Sequence, residues 1–355
     1  MRRQLEEPIR RHWYGNNGLG NLFLGALTGP ASVLFGLGVR TRNVLYDQGL
    51  LHSADPSLPV ISVGNLAVGG TGKTPVARWL MDRLLQLDRT PALVSRGYGH
   101  DEVLLHRRWH PGCPVIADPD RLRGVAKAAR EGADTCILDD GFQHRRMDRD
   151  LDILLFSHRD PLPARLLPRG PYREPLRSLR RSQLVLVTSH GQTGRRRVHQ
   201  MIRQLGALPG SPAVVAFPFR PGPWQELDGS IARRPEAGAV VVSSVARPKS
   251  VAALAEEAGV QVAEVMAYPD HHNYSEDDVT RIRNQAGSRP MVTTEKDAVK
   301  LVHFRDHLPD VRVLTLAPDP DPGVVRIIDK ALETALAKGD ARVANEPAQG
   351  REESA

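Results

Sequence analysis

An α/β fold, with a mostly parallel, helix-covered sheet followed by a second, smaller α/β domain, is predicted by three observations in this 355-residue sequence. Short β-rich apolar runs alternate with helical stretches from Pro59 onward. A glycine-rich turn, Val68-Gly69-Gly70-Thr71-Gly72-Lys73-Thr74, joins one of those runs to a helix. A proline-rich stretch at 217–223 then separates this series from another of the same kind.

In chain order, residues 1–58 form a helical region of their own. Residues 15–39 carry no charge; Arg2, Arg3, Arg10, Arg11, Trp13 and Tyr14 precede them and Arg40 and Arg42 follow, a flank pattern suited to a membrane interface. A spanning helix needs about 20 mostly apolar residues, and Asn16, Asn17, Asn21, Pro30 and several glycines interrupt this run. Two short helices lying on the bilayer are expected. A pair of helices buried against the core is the other reading.

Residues 59–220 read as the main α/β core. The run 59–63 is β-rich, and 75–87 places Val76, Leu80, Leu84 and Leu87 on one side of a helix. Short apolar strands follow at 92–94, 135–138, 153–156 and 184–187, with a helical stretch at 122–130. The proline-rich stretch reads as a linker, and residues 221–337 as the smaller lobe, with strands through Val240, Val262 and Val292. Residues 338–355 hold almost no large apolar side chain to offset the entropy of ordering, so a disordered tail is expected.

A hydrophobic fraction of 41% with 25% charged residues fits a folded globular chain. The net charge of +7 points to an anionic partner: a nucleotide, a phosphorylated small molecule, a nucleic acid or an anionic lipid headgroup. No aromatic-basic RNA-binding pattern, zinc finger or recognition helix is evident, which argues against nucleic acid. Cys113 and Cys136 are the only cysteines, and neither a disulfide framework nor zinc-ligand spacing is present; a reducing cytoplasm is the natural compartment.

A phosphate loop needs glycines that let backbone N–H groups converge on phosphate oxygens, a lysine for the outer phosphates and a hydroxyl for magnesium. Gly69, Gly70, Thr71, Gly72, Lys73 and Thr74 supply these, with Ala67 standing where the strict motif has glycine. The sheet is therefore expected to be P-loop NTPase-like. Residues 136–140, Cys-Ile-Leu-Asp-Asp, read as a buried strand ending in two carboxylates, Asp139 and Asp140, one of which should reach a magnesium ion beside the loop. Thr294-Glu295-Lys296-Asp297 differs from the guanine-recognition signature because lysine and aspartate are adjacent, so MgATP is the expected nucleotide.

Gly64-Asn65-Leu66 leading into 68–75, Ser95-Arg96-Gly97-Tyr98-Gly99, Asp139-Asp140-Gly141-Phe142-Gln143-His144, Leu167-Pro168-Arg169-Gly170-Pro171-Tyr172-Arg173-Glu174-Pro175, Pro269-Asp270-His271-His272 and residues 294–300 stand in this order along the chain. Together they resemble the tetraacyldisaccharide 4'-kinase family. The resemblance runs to about residue 335. It implies ATP-dependent phosphorylation of the 4'-hydroxyl of a tetraacylated glucosamine disaccharide 1-phosphate, a lipid A precursor. Because a multiply acylated acceptor resides in the bilayer, a peripheral enzyme on the cytoplasmic face of the inner membrane is expected; no obligate protein partner is inferred. The family's Gly-Asp-Glu motif matches His100-Asp101-Glu102, making Asp101 the general base, and its Asp-His-His motif makes His271 the partner. Lys73 and Asp140 would assist transfer, Thr74 and Asp139 would meet the metal, and Arg96, Gly97, Arg121, His144, Arg173 and Glu174 would contact the acceptor. Here His100 replaces glycine, and the segment that usually precedes the Asp-Glu pair is missing. Ser244-Val245-Ala246-Arg247-Pro248 also departs from the family's Gly-Ile-x-Asn-Pro-like turn. A different class, a membrane-associated P-loop ATPase that switches a protein partner, fits the same loop and predicts ATP hydrolysis indifferent to the lipid.

Overall fold

The computed structural model describes residues 13–14, 19–97, 100–190 and 194–345. Arg2, Arg3, Arg10, Arg11, Asn16, Asn17, Tyr98, Gly99 and the tail from 346 onward lie outside the described residues.

Among the described residues the chain forms one eleven-stranded sheet in the order β3-β2-β4-β1-β5-β6-β7-β11-β10-β8-β9. The strands are β1 (Val60–Asn65), β2 (Pro91–Ser95), β3 (Val115–Ala117), β4 (Thr135–Asp139), β5 (Leu151–Ser157), β6 (Leu184–His190), β7 (Ala213–Gln225), β8 (Ala239–Ser243), β9 (Val262–Ala267), β10 (Met291–Thr294) and β11 (Val311–Pro318). Every pairing is parallel except β7 with β11. Strands β1, β2, β4 and β5 are buried along their length, which is why they read as continuous apolar runs rather than alternating ones.

The helices are α1 (Leu19–Asp47), α2 (Lys73–Gln86), α3 (His100–Trp109), α4 (Arg121–Arg130), α5 (Arg195–Gly206), α6 (Pro248–Glu257), α7 (Glu276–Ala286), α8 (Glu295–Leu301) and α9 (Pro322–Ala344). α2 lays Val76, Ala77, Leu80, Met81 and Leu84 into a core shared with Ile61 and Val63 of β1 and Ile137 of β4. The spacing that marks it as a helix is therefore also what anchors the glycine-rich turn to the sheet.

Three expectations change. The proline-rich stretch is not a linker loop but the middle of β7. Its first half pairs with β6, and its second half, with Pro221 and Pro223, pairs with β11. Prolines are tolerated because the strand changes partner there and the β11 register shifts between Leu314 and Leu316. Next, the expected tail at 338–344 is the end of α9. Ile328, Leu332, Ala335 and Leu336 join the β1 core, and a Cβ on Gly339 would stand 2.6 Å from Pro59, so only glycine permits this approach. Arg342 donates to Leu58 O at 3.0 Å and to Asp150 at 3.1 Å, and Asp340 pairs with Arg89 at 2.9 Å. α9 thus returns to the first lobe. Finally, residues 19–47 form one helix that passes through Pro30 rather than two short ones.

α1 has two different sides. Ser32 donates to Leu166 O at 3.0 Å, Asn43 to Glu174 at 2.9 Å, and Asp47 pairs with Arg145 at 2.8 Å, all at helical spacing on the side facing the core. Val33, Leu34 and Leu37 are 63%, 70% and 54% exposed on another. Among the described residues no helix is long and apolar enough to cross a membrane.

Candidate active site

The glycine-rich turn leaves β1 and enters α2 at Lys73. Gly69 and Gly72 have φ of +131° and +87°, which side-chain-bearing residues rarely adopt, and a Cβ at Gly72 would meet the Phe219 ring at 3.0 Å. Asn65, at the end of β1, braces the turn from below: its Nδ2 donates to Thr71 Oγ1 at 3.0 Å and its Oδ1 accepts from Lys73 Nζ at 3.4 Å. Thr188 of β6 donates to Thr71 O at 2.8 Å. The turn borders a cavity of about 1040 Å³ between the two halves of the sheet.

Asp140 follows β4 into the same cavity with φ +55°, a left-handed conformation unusual for a non-glycine residue. Arg173 grips its two oxygens at 2.9 and 2.8 Å, and Lys73 lies 3.7 Å away. Burial would raise this carboxyl, but the Arg173 hydrogen bonds and the charges of Lys73, Arg173 and Arg121 outweigh burial and hold it at about 2. Its neighbour behaves oppositely. Asp139 is pushed up by burial and then by the charges of Glu102 and Asp140, and its Oδ1 is buried without a hydrogen-bond partner. A buried carboxylate oxygen without a hydrogen-bond donor, with Lys73 and Lys296 only partly offsetting its burial, is a candidate cation ligand. Thr74 Oγ1 and Glu102 Oε1, 3.2 Å apart, border the cavity with it. These hard oxygen donors fit Mg²⁺, an ion that leans on few protein ligands and on phosphate oxygens. Among the described residues no group of three or more His, Cys, Asp or Glu side chains forms a self-sufficient metal cage.

Across the cavity stands His271, also at a left-handed φ of +56°. Its Nδ1 lies 2.9 and 3.0 Å from the two carboxylate oxygens of Asp101, at the start of α3. Asp101 is 4% exposed, and it is His271 that reaches the cavity wall. Burial would raise Asp101, yet the His271 hydrogen bond and the charges of His271, Lys296 and Lys300 bring it down to about 2. The same hydrogen bond raises His271 above its ordinary value against the opposing effect of burial.

Two lysines of α8 hold this pair across the lobes. Lys296 Nζ donates to Glu102 at 2.5 Å. Lys300 Nζ donates to Ser244 Oγ at 2.5 Å and lies 3.2 Å from Asp297 and 3.7 Å from Asp101. Asp297, fully buried, also accepts from Tyr274 at 3.1 Å and Thr294 at 2.8 Å. Thr294-Glu295-Lys296-Asp297 is thus an interlobe clamp, consistent with its failure to match a guanine-reading signature.

Arg96, Arg121, His144 and Arg173 line the cavity as the sequence suggests. Arg121 is tied to the carbonyls of Asp118 and Pro119 at 3.1 and 3.2 Å. Glu174 and Gly97 do not line it. The Glu174 carboxylate is buried and taken up by Asn43, Ser178 and Arg181, so it fastens α1 to the core instead of facing an acceptor. Glu102, Lys296, Asn65, Arg159 and Arg247 are residues of this region that sequence reasoning left without a role. The first three sit inside the family-like motifs, which was the available signal; Arg247 lies in the 244–248 turn, whose departure from the family pattern left it without a role, and Arg159 carries no motif signal.

A phosphate loop, a buried acid beside it and a base-bearing pair facing both across one cavity define a P-loop phosphotransferase. The model of the LpxK family, tetraacyldisaccharide-1-P 4'-kinase, matches residues 24–102 and 99–333. A tetraacyldisaccharide 4'-kinase of Anaeromyxobacter sp. (strain Fw109-5) is 36% identical over 94% of this chain and 97% of its own. That of Halorhodospira halophila is 37% identical over 76% of this chain and 82% of its own. The crystal structure of LpxK from Aquifex aeolicus in complex with ATP superposes with a TM-score of 0.72 at 29% identity, covering 88% of this chain and 99% of that one. The chain belongs to the LpxK family of tetraacyldisaccharide 4'-kinases.

Proposed function

We propose that this protein transfers the γ-phosphoryl group of ATP to the 4'-hydroxyl of a tetraacylated glucosamine disaccharide 1-phosphate, a lipid A precursor, as a peripheral enzyme on the cytoplasmic face of the inner membrane. The observation that carries the reading is the single cavity onto which the phosphate loop and His271, backed by Asp101, both open. The glycine-rich turn and Lys73 hold the phosphates. The acceptor hydroxyl approaches between the loop and His271 and gives its proton to the Asp101–His271 pair, which titrates as a unit. A lone carboxylate near its ordinary pKa of about 4 is a weak base for a sugar hydroxyl, and the imidazole supplies the missing basicity. Asp140, locked by Arg173, fixes the position of Lys73 beside the reacting phosphate. Thr74, Asp139 and Glu102 would hold Mg²⁺, which when bound supplies positive charge to the phosphate oxygens. Arg96, Arg121, His144 and Arg173 offer donors to the acceptor's sugar and phosphate oxygens.

A four-chain lipid stays in the bilayer, so the enzyme must come to it. The exposed Val33–Leu34–Leu37 face of α1, beside Arg40, supports surface insertion.

The test is transfer of label from ATP to the disaccharide 1-phosphate in detergent, comparing the parent with Lys73→Ala. Labelled acceptor with the parent and none with the variant is expected. A folded parent that hydrolyses ATP equally with and without acceptor, and labels none, would instead be the partner-switching ATPase.

A further inference from the structure

We propose that Arg159 and Arg247 form a second anion seat in the cavity, gripping the nucleotide's phosphate chain on the leaving-group side of the phosphate loop. This rests on the kinase reading above. Arg159 comes from the turn after β5 in the first lobe and Arg247 from the residue before α6 in the second, and both line the cavity. Neither forms an ion pair with a carboxylate among the described residues. Arg159 donates to the neutral Ser250 Oγ at 2.6 Å and to His158 Nε2 at 3.3 Å, while the Arg247 guanidinium lies 5.1 Å over the Tyr14 ring. Two guanidinium groups facing one cavity without counter-ions constitute a site that an anion completes.

The surroundings agree. Arg159 is pulled below its ordinary value by burial and then by Arg247, and His190 is lowered to about 4 by burial with help from His158, Arg159 and Arg247. Asp160, buried in the turn after β5, feels both Arg247 and Lys73, which places these two cations around one neighbourhood. Its carboxylate is engaged by the backbone N–H of Ser157 at 2.9 Å.

The sheet order identifies the anion. The strands read β2-β4-β1-β5-β6, with the phosphate loop after β1. Asp101 and the Arg96–Arg121 side follow β2 and β3, on one flank of the loop; Arg159 and His190 lie at the ends of β5 and β6, on the other. In-line phosphoryl transfer puts the attacking and leaving oxygens on opposite sides of phosphorus. With the proton-accepting pair on the β2 flank, the departing diphosphate extends toward β5 and β6, onto Arg159 and Arg247. Ser250 couples the seat to the second lobe, so nucleotide phosphates draw the lobes together there.

Calorimetric titration of the full-length protein in detergent with ADP tests this in the parent, Arg159→Ala, Arg247→Ala, the double variant and Lys73→Ala. Each single arginine change should raise the Kd for ADP about tenfold, the scale of one charge-assisted contact, and the double change more, with the acceptor KM held within twofold. Because alanine could unsettle the fold, melting midpoints are taken alongside, and Arg159→Lys and Arg247→Lys should retain part of the affinity at unchanged midpoints. ADP affinity within twofold of the parent in the double variant overturns the proposal. A raised acceptor KM at unchanged ADP affinity also overturns it and assigns the seat to the acceptor's 1-phosphate. If the parent shows no ADP binding that Lys73→Ala weakens, the kinase reading itself fails.

Discussion

The phosphate loop and the Asp101–His271 pair face the same cavity but are built in opposite ways. The loop is six consecutive residues fixed by β1 and α2, with Asn65 and Thr188 bracing it from within one lobe. The pair joins residues 170 apart in sequence and exists only while α3 of one lobe and the segment before α7 of the other stay together. On the proposed reading, nucleotide binding is therefore a local property of the chain, whereas proton acceptance depends on how the lobes meet. Perturbations of the two regions should separate in kinetics.

The largest separation is expected from Asp101→Asn. It keeps the shape but removes the charge that orients His271, and kcat should fall about a thousandfold, within the usual range for a general base, while the Kd for ADP stays within twofold. Lys73→Ala should lower kcat and raise the Kd for ADP together, since it strips a donor from the phosphates themselves, costing on the order of a hundredfold in kcat. Single-turnover rates with parallel ADP titrations check the pair of predictions. Equal loss of ADP affinity in the two variants would show that the regions are not independent.

Next comes the clamp. Lys300→Met leaves Asp101 and Asp297 facing each other without their shared cation, and Asp297 is fully buried. Loss of one partner of a buried ion pair costs about 3 kcal/mol, so the melting midpoint should drop. Because the clamp holds the lobes, kcat/KM should fall about tenfold, roughly 1.4 kcal/mol of transition-state stabilisation, with ADP binding preserved. An unchanged midpoint would mean the lobes are held elsewhere.

A pH profile sharpens the same point. His271 titrates above its ordinary value of about 6.5 because Asp101 holds its proton, with Asp270 adding to the effect and burial and Lys296 opposing it. If the pair is the proton acceptor proposed above, it accepts a proton only after His271 has lost its own, so kcat/KM should rise with pH through a midpoint above that of free imidazole. In Asp101→Asn the holding charge is gone, and the His271 midpoint, followed by NMR, should move down. A downward shift in the parent, or no movement in the variant, would remove Asp101 as the group that sets His271.

These contrasts also explain what the sequence made legible. The loop, β1, β4 and α2 were readable because each is specified by neighbours in sequence: glycines where φ is positive, apolar spacing where a helix packs, a buried run where helices cover both faces of the sheet. Asp101 and His271 were reachable only through the family resemblance, since nothing local ties residues 101 and 271. Glu174 was misplaced because a motif records which residue is present and not which way it points; here it turns from the cavity to Asn43. The proline-rich strand and the last turns of α9 were hidden for a related reason. Prolines read as breaks unless the change of partner between β6 and β11 is known, and a run of alanine and glycine reads as tail unless Pro59 is known to await it.

The smallest expected effect lies in α1, whose two sides repeat the contrast in miniature. Leu34 is 70% exposed, so Leu34→Glu removes no packed contact and should change stability by less than about 0.5 kcal/mol. It should nevertheless weaken sedimentation with anionic phospholipid vesicles and raise the KM for acceptor presented in those vesicles, leaving the KM for ATP alone. Glu174→Gln acts on the opposite side of the helix. It removes the charge that Asn43, Ser178 and Arg181 share, and should cost about 1–3 kcal/mol while exposing α1 to limited proteolysis. If Leu34→Glu lowered the melting midpoint and Glu174→Gln did not, the assignment of the two faces would be reversed, and the exposed apolar side of α1 would lose its claim on the membrane.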